Sequence, residues 1–209
     1  DSKISFEPES HEYRYDGKVL LSVTQMLEMV GLILTRWFTK VSAMRGSVSH
    51  AITQFVDEGG VDESTVDPEL EGYYRAYLKF KEECGPKWTA IETMYADPHV
   101  GVAGTVDRVG SLLAPGQPNR YRVILDIKTG SPQPWHAVQL AGYKHLVSRH
   151  QILSGTDSRY VGRQKTFGLY LKKNGKYTLT EYADRKDEAI FMAAVSIANY
   201  RMKHGLIDT

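Results

Sequence analysis

The sequence has very little cysteine, with Cys84 as the single one among 209 residues. One cysteine excludes a disulfide framework within the chain, and it excludes a zinc or iron-sulfur site built on four cysteines. We therefore expect no iron-sulfur cluster. The simplest interpretation of the single cysteine is that the protein occupies a reducing environment.

Long apolar runs are also absent from the sequence. No stretch approaches the roughly 18 consecutive apolar residues that a membrane span requires. The N-terminus lacks the basic and then apolar pattern of a signal peptide. The sequence thus predicts a cytoplasmic protein with no membrane partner.

The sequence has no excess of charge of one sign, because 26 Lys and Arg face 25 Asp and Glu and leave a net charge of +1. Binding to nucleic acid would have to depend on local clusters of basic residues. Repeats, low-complexity tracts and shifts in composition are absent as well, so residues 1–209 are predicted to form a single domain around one core.

The first half of the chain has the periodicity of short strands followed by helices. Antiparallel strands are predicted around Ile4–Tyr15, and a helix begins at Ser22, whose spacing to Gln25 is that of a capping box. Further helices are predicted from about Val41 to Glu58 and from Pro68 to Cys84. The apolar stripe expected to face the core from the first of these comprises Met44, Val48, Ile52, Phe55 and Val56.

The second half of the chain alternates between strands and helices. The predicted strands are Trp88–Tyr95, Val100–Leu113, Tyr121–Lys128, Thr166–Leu171 and Lys176–Glu181, and the predicted helices are 134–150 and 185–203. Asn174-Gly175 is typical of a hairpin turn between the last two strands. This order predicts an α/β fold in which helices flank both faces of a mixed central sheet.

The segment Ile124–Gly130 carries the strongest chemical signal in the sequence. Because side chains alternate along a strand, Asp126 and Lys128 lie on one face of an otherwise apolar strand. A hydrated metal ion beside the carboxylate would compensate for the burial of these charges. The alternative is an ordinary charge pair on an edge strand, which contributes little to stability.

A second acidic residue, Asp107, lies in the β-rich run Val102–Val109, nineteen residues before Asp126. The Pro-Gly loop between the two strands fits a hairpin, so the carboxylates of Asp107 and Asp126 are expected to converge. Oxygen ligands of this kind favour Mg²⁺, and Mn²⁺ can substitute for it. Lys128-Thr129-Gly130 also occurs in penicillin-recognising serine enzymes, but no Ser-x-x-Lys motif accompanies it here.

Asp107 followed by Asp126-Ile127-Lys128 resembles the core of the PD-(D/E)XK nucleases. Val106 stands where that family's name has proline. In addition, 45–50 (RGSVSH) resembles the histidine motif of the RecB-like branch, and Gln139–Tyr143 resembles its glutamine-tyrosine motif. The ordered motifs span residues 45 to 143, and the similarity extends to phage recombination nucleases and mitochondrial genome-maintenance exonucleases.

The resemblance implies a restriction-endonuclease-like core and a role for each matching residue. Asp107, Asp126 and Lys128 would be catalytic, with Lys128 orienting or deprotonating the attacking water. The implied metal ligands are Asp107, Asp126, the backbone carbonyl of Ile127, His50 and Glu92. Gln139 and Tyr143 are the DNA-binding residues that the resemblance implies. Arg45, Ser47 and Lys144 are further candidates for contacts with DNA. His50, Gln139 and Tyr143 have packing roles as their alternative interpretation.

The expected function is therefore metal-dependent hydrolysis of DNA, by an exonuclease acting on linear DNA with single-stranded DNA as one candidate substrate. The alternatives are an inactive DNA-binding module of the same fold and a structure-specific or sequence-specific endonuclease. A recombinase, a single-strand-binding protein or a helicase is the expected kind of protein partner. If the chain is viral, its expected location is the cytoplasm of the bacterial host.

Overall fold

The computed structural model describes residues 3–34, 40–60 and 63–206, with the backbone alone for residues 40–45 and 63. Its strands are β1 (Ile4–Glu7), β2 (Glu12–Tyr15), β3 (Lys18–Ser22), β4 (Lys87–Asp97), β5 (Val102–Leu113), β6 (Arg120–Lys128), β7 (Lys165–Leu171) and β8 (Tyr177–Tyr182). Its helices are α1 (Val23–Met29), α2 (Lys40–Glu58), α3 (Glu71–Cys84), α4 (Pro134–Leu153) and α5 (Lys186–Lys203), with a short 3₁₀ helix at 63–65.

One mixed sheet contains all eight of these strands, which confirms the predicted fold class. The order is β1-β2-β3-β5-β6-β7-β8, with β4 on the other edge of β5. β4, β5 and β6 form an antiparallel meander, which includes the predicted hairpin between β5 and β6. β6 and β7 are parallel and are connected through α4, as parallel neighbours require a crossover. The C-terminal end of β6 therefore leads directly to the N-terminus of α4.

Helices cover both faces of the sheet and create two apolar cores. On one face, α1, α4 and α5 pack on residues such as Val106 and Ile124. On the opposite face, α3 packs on Val123, Leu125 and Ile127. The alternation of β6 thus turns successive apolar residues to different cores. None of the helices within the described ranges is both long enough and apolar enough to cross a membrane.

Several local signals in the sequence have the predicted structural effect. Ser22 and Gln25 form both hydrogen bonds of the capping box at the start of α1. Gly175 has φ 77°, as the turn between β7 and β8 requires. α3 begins at Glu71 rather than at Pro68, and its tyrosines Tyr73, Tyr74 and Tyr77 are buried. The capping box and the turn depend on neighbouring residues alone, and for that reason they are readable from sequence.

The inward face of α2 differs from the prediction, because its described part turns polar residues to the interior. Ser49 and Thr53 are buried, whereas Val48 and Phe55 are 38% and 54% exposed. Thr53 meets a buried guanidinium, and a buried charge requires polar partners. The predicted apolar stripe was therefore wrong for Val48 and Phe55. Its member Met44 lies outside the described side chains.

Gly142 of α4 lies where this helix packs most closely against its neighbours. A Cβ at this position would stand 2.6 Å from a ring carbon of Phe191 and 3.0 Å from a methyl of Val23. We expect Gly142→Ala to lower the free energy of unfolding by about 1–3 kcal/mol through overpacking. Urea denaturation measures the change.

Gly46 of α2 is the matched control for Gly142, because a Cβ added there meets no described atom within 4 Å. Gly46→Ala should raise the free energy of unfolding by up to about 1 kcal/mol through helix propensity. Equal effects of the two substitutions would contradict the close packing of α4 at Gly142.

Candidate metal centre

A gap in the sheet forms the centre of the candidate site. One edge of β5 pairs first with β3, at Val102 and Ala103, and then with β6, from Arg108 onwards. Between these two contacts lies Asp107, whose Oδ2 accepts a hydrogen bond from the backbone amide of Ile127 at 2.6 Å. This hydrogen bond to a side chain thus takes the place of a backbone hydrogen bond at the point where β5 and β6 separate. This geometry confirms the predicted proximity of the two acidic strands.

Asp126 and Lys128 lie side by side at the end of β6, as the alternation of the strand predicts. Lys128 Nζ is 2.7 Å from Asp126 Oδ2, in an ion pair whose angles fall outside those of a hydrogen bond. Lys128 is the more accessible of the two, and its ammonium lies 5.6 Å from the ring centre of Trp135. The pair therefore joins a buried carboxylate to a cation that reaches toward the surface.

Three side chains from three different elements form a cluster of the kind that holds a metal ion. His50 of α2, Glu92 of β4 and Asp107 of β5 each offer one ligand atom, and these atoms lie within 4.8 Å of one another. His50 Nδ1 is 3.5 Å from Asp107 Oδ2 and 3.6 Å from Glu92 Oε1. Two carboxylates and one imidazole thus point to the same small volume.

Glu92 joins this cluster through an unusual backbone conformation within a strand. Its φ is 42°, in the left-handed region that side chains other than glycine rarely adopt. Its neighbours Ile91 and Thr93 pair with Arg108 and Val106, so Glu92 lies across from Asp107. Such a conformation costs about 1–3 kcal/mol and persists where the surrounding structure maintains it.

The pKa values of Asp107 and His50 are shifted by burial and by the charges of the cluster. Burial raises the pKa of Asp107 to about 7 against the opposing effect of His50. The nearby carboxylates of Asp126 and Glu92 add to this rise. Burial works against a charged His50, but the carboxylates of Asp107 and Glu92 raise its pKa to about 9. Both pKa shifts favour the protonated form of the group, and a bound cation would favour the opposite.

The donor set of the cluster fits a divalent cation such as Mg²⁺ or Mn²⁺. Carboxylate oxygens suit both ions. Asp126 is not a member of the three-residue cluster, and its carboxylate is paired with Lys128. Its charge nevertheless acts on Asp107, so it lies within electrostatic range of the same site.

Gln139 and Tyr143 border the site from α4, one helical turn apart. Gln139 Nε2 donates to Tyr143 Oη at 3.3 Å and to Thr24 Oγ1 at 3.1 Å. Burial raises the pKa of Tyr143 well above its usual value, with further contributions from Asp126 and Asp107. Gln139 Oε1 is buried without a hydrogen-bond partner among the described residues. The glutamine-tyrosine pair thus adjoins the carboxylates.

Three further residues were predicted to bind DNA, and the side chains of two of them are described. Lys144 pairs with Glu188 of α5 at 2.7 Å. Ser47 is exposed on α2, one turn before His50. The backbone of Arg45 belongs to α2, but its side chain lies outside the described residues.

Three residues around the site were not found by sequence reasoning, namely Thr53, Asp57 and Arg108. Arg108 is fully buried and contacts both of the others. The available signal was the spacing of His50, Thr53 and Asp57, which places three polar side chains on one face of α2. Arg108 itself gave no signal, since its partners are distant in sequence.

A divalent cation should stabilise the folded protein if the cluster binds it. With the ion at about 100 times its dissociation constant, the gain is about 2.7 kcal/mol, or about 5–10 °C in Tm for a chain of this size. Thermal unfolding with Mn²⁺, with Mg²⁺ and with EDTA measures this shift. The Asp107→Asn variant should show a much smaller shift, and an identical shift would place the bound ion elsewhere.

No family model matches the chain, and no curated protein does. Among solved structures, the fold is similar to the alkaline exonuclease LHK-Exo from Laribacter hongkongensis, with 15% identity, a TM-score of 0.39 and coverage of 89% of each chain. It is likewise similar to LHK-Exo in complex with dAMP, with 14% identity, a TM-score of 0.40 and the same coverage. Likeness at this level assigns no activity.

Proposed function

We propose that the protein is a metal-dependent deoxyribonuclease that hydrolyses phosphodiester bonds, acting as an exonuclease on linear DNA. The observation that carries this proposal is the cluster of His50, Glu92 and Asp107 beside the ion pair of Asp126 and Lys128. A cation site next to a more accessible ammonium suits the hydrolysis of a phosphodiester, because negative charge accumulates on the phosphate.

The cluster would hold Mg²⁺ or Mn²⁺ through Asp107, Glu92 and His50. The carboxylate of Asp126 and the backbone carbonyl of Ile127 are further candidate ligands. When bound, the ion polarises a phosphate oxygen and lowers the pKa of a coordinated water. Asp107 also accepts the amide of Ile127, so the same side chain positions the end of β6.

Lys128 would orient the attacking water and offset the charge of the phosphate. Its ammonium has three donors and no acceptor, and Asp126 directs it from 2.7 Å. The position of this ammonium beside the carboxylate of Asp126 supports an electrostatic role for Lys128. The carboxylate of Asp126 thus serves both the cation site and the lysine.

Gln139 and Tyr143 would contact the scissile strand or keep Lys128 in place. Their hydrogen bonds to each other and to Thr24 fix them next to the carboxylates. Ser47, Arg45 and Lys144 would contact DNA phosphates outside the cleavage site. Such contacts set affinity and register, and they leave the chemistry to the cluster.

The choice of DNA and of an exonuclease comes from the ordered motifs, which resemble those of RecB-like exonucleases. The same resemblance supports a recombinase, a single-strand-binding protein or a helicase as a loading partner in recombination or repair. The intact trio of Asp107, Asp126 and Lys128 favours an active enzyme over an inactive DNA-binding module.

A time course with end-labelled linear DNA, both single-stranded and duplex, beside a closed circular substrate tests this proposal. Each substrate is incubated with Mg²⁺, with Mn²⁺ and with EDTA. We expect metal-dependent degradation of the linear substrates alone. The end whose label is released first gives the direction of digestion. Cutting of the circle would indicate an endonuclease, and binding without cleavage under every metal would indicate the inactive module.

A further inference from the structure

One guanidinium, that of Arg108, lies behind the candidate metal cluster and is entirely buried. Its Nη1 donates to Glu92 Oε1 at 2.9 Å. The same nitrogen donates to the backbone carbonyl oxygen of Asp107 at 2.7 Å. Two of the three cluster residues are therefore held directly by one rigid group.

The third cluster residue, His50, is connected to the same guanidinium through Thr53. Arg108 Nη2 donates to Thr53 Oγ1 at 3.2 Å, and the Thr53 hydroxyl donates to the carbonyl oxygen of His50 at 2.9 Å. Thr53 is buried, so water does not compete for these bonds. The turn of α2 that carries His50 is thereby tied to β4 and β5.

The far side of the guanidinium is bound by an acidic residue, Asp57. Arg108 Nε donates to Asp57 Oδ2 at 2.7 Å, and Tyr77 Oη donates to the same oxygen at 2.5 Å. Lys81 Nζ lies 2.9 Å from Asp57 Oδ1. Asp57 thus offsets the charge of Arg108 and fixes the plane of its guanidinium.

A buried ionic network of this kind is a poor source of stability in itself. The cost of removing the charges from water offsets much of their attraction. Well-packed apolar residues in the same place often give equal stability. The network does, however, restrict geometry, because the planar guanidinium offers its donors in a fixed arrangement. It also accounts for the strained backbone of Glu92, whose carboxylate is held by Arg108.

We propose that Arg108 is the positioning residue of the metal centre, which sets the mutual placement of His50, Glu92 and Asp107 and hence the affinity for a divalent cation. The inference rests on the proposed function, because it assumes that the cluster binds a metal. Arg108 acts through the three ligands, and its guanidinium carries no ligand atom itself.

The test measures Mn²⁺ binding to purified protein in the absence of DNA, by titration calorimetry and by the electron paramagnetic resonance of free Mn²⁺. Arg108→Lys keeps a positive charge but loses the planar fork, and we expect about 10–100-fold weaker binding, typical of a lost outer-sphere partner. At saturating Mn²⁺, turnover should recover substantially, because the ligands themselves remain.

Arg201→Lys is the matched control for this substitution. Arg201 also donates to backbone carbonyls, those of Met29 and Leu206, but at the packing of α1 with α5. The control should lose stability without losing affinity for Mn²⁺. Weaker Mn²⁺ binding in Arg201→Lys, to the same degree as in Arg108→Lys, would reduce Arg108 to a general structural role and overturn the inference.

Thr53 gives a milder pair of variants in case Arg108→Lys fails to fold. Thr53→Val removes only the hydroxyl between Arg108 and His50, and Thr53→Ser keeps it. Thr53→Val should weaken Mn²⁺ binding relative to Thr53→Ser, and equal affinities would overturn the inference. If the unmodified protein binds no Mn²⁺ at all, the proposed function fails first, which separates the two failures.

Discussion

Asp107→Asn should abolish Mg²⁺-dependent and Mn²⁺-dependent cleavage of DNA, with a loss of about 10³-fold or more in kcat. The substitution keeps the size of the side chain and an oxygen that can still accept the amide of Ile127. It removes one negative charge from the cluster, and a cation is worth several kcal/mol in the transition state. A single-turnover assay at saturating DNA measures the loss.

Asp97→Asn is the control for this loss, because Asp97 is another buried aspartate that pairs with a histidine. It lies at the end of β4 and contacts His145 Nε2 at 3.0 Å, away from the cluster. Cleavage by this variant should remain close to that of the unmodified protein once its stability is matched. Full activity of Asp107→Asn would falsify the assignment of the metal site.

Lys128→Met should lower kcat by about 10²–10³-fold while the affinity for DNA changes much less. Methionine retains most of the apolar stem and removes the ammonium, which lies beside Asp126 and 5.6 Å from the ring centre of Trp135. Loss of one preorganised charge at the reacting phosphate has this typical effect on turnover. Comparison of kcat with the dissociation constant for DNA in EDTA separates the two roles.

Lys165→Met provides the comparison for the lysine, since Lys165 is on the neighbouring strand and pairs with Glu181. Its ammonium lies over the ring of Tyr121, at the opposite end of the paired strands. We expect its turnover to be unchanged. A loss confined to DNA binding in Lys128→Met would instead make Lys128 a phosphate contact.

Local sequence was sufficient for much of the fold and for the core of the site. The alternation of β6 placed Asp126 and Lys128 on one face, and the loop before Arg120 predicted the hairpin that brings Asp107 to them. Such features follow from the period of a strand and the length of a connection. The structure confirms both.

The interior face of α2 shows why other parts of the site could not be predicted. Val48 and Phe55 have helical spacing, but the described part of the helix buries Thr53. The hydroxyl of Thr53 accepts a hydrogen bond from the buried Arg108 of β5. Periodicity alone identifies an apolar stripe without showing which surface the helix meets. The requirement of a buried charge for polar partners decided the orientation instead.

By itself, the sequence determined the order of strands and helices, the pairing of the acidic strands and the position of the acid and lysine that we propose for catalysis. Only the tertiary structure decided that Glu92 adopts a left-handed conformation opposite Asp107 and that Arg108 joins the elements carrying His50 and Glu92. The reason is that these contacts join residues far apart in the chain. Charged groups that are buried together in the interior require polar or charged partners, and these contacts supply them.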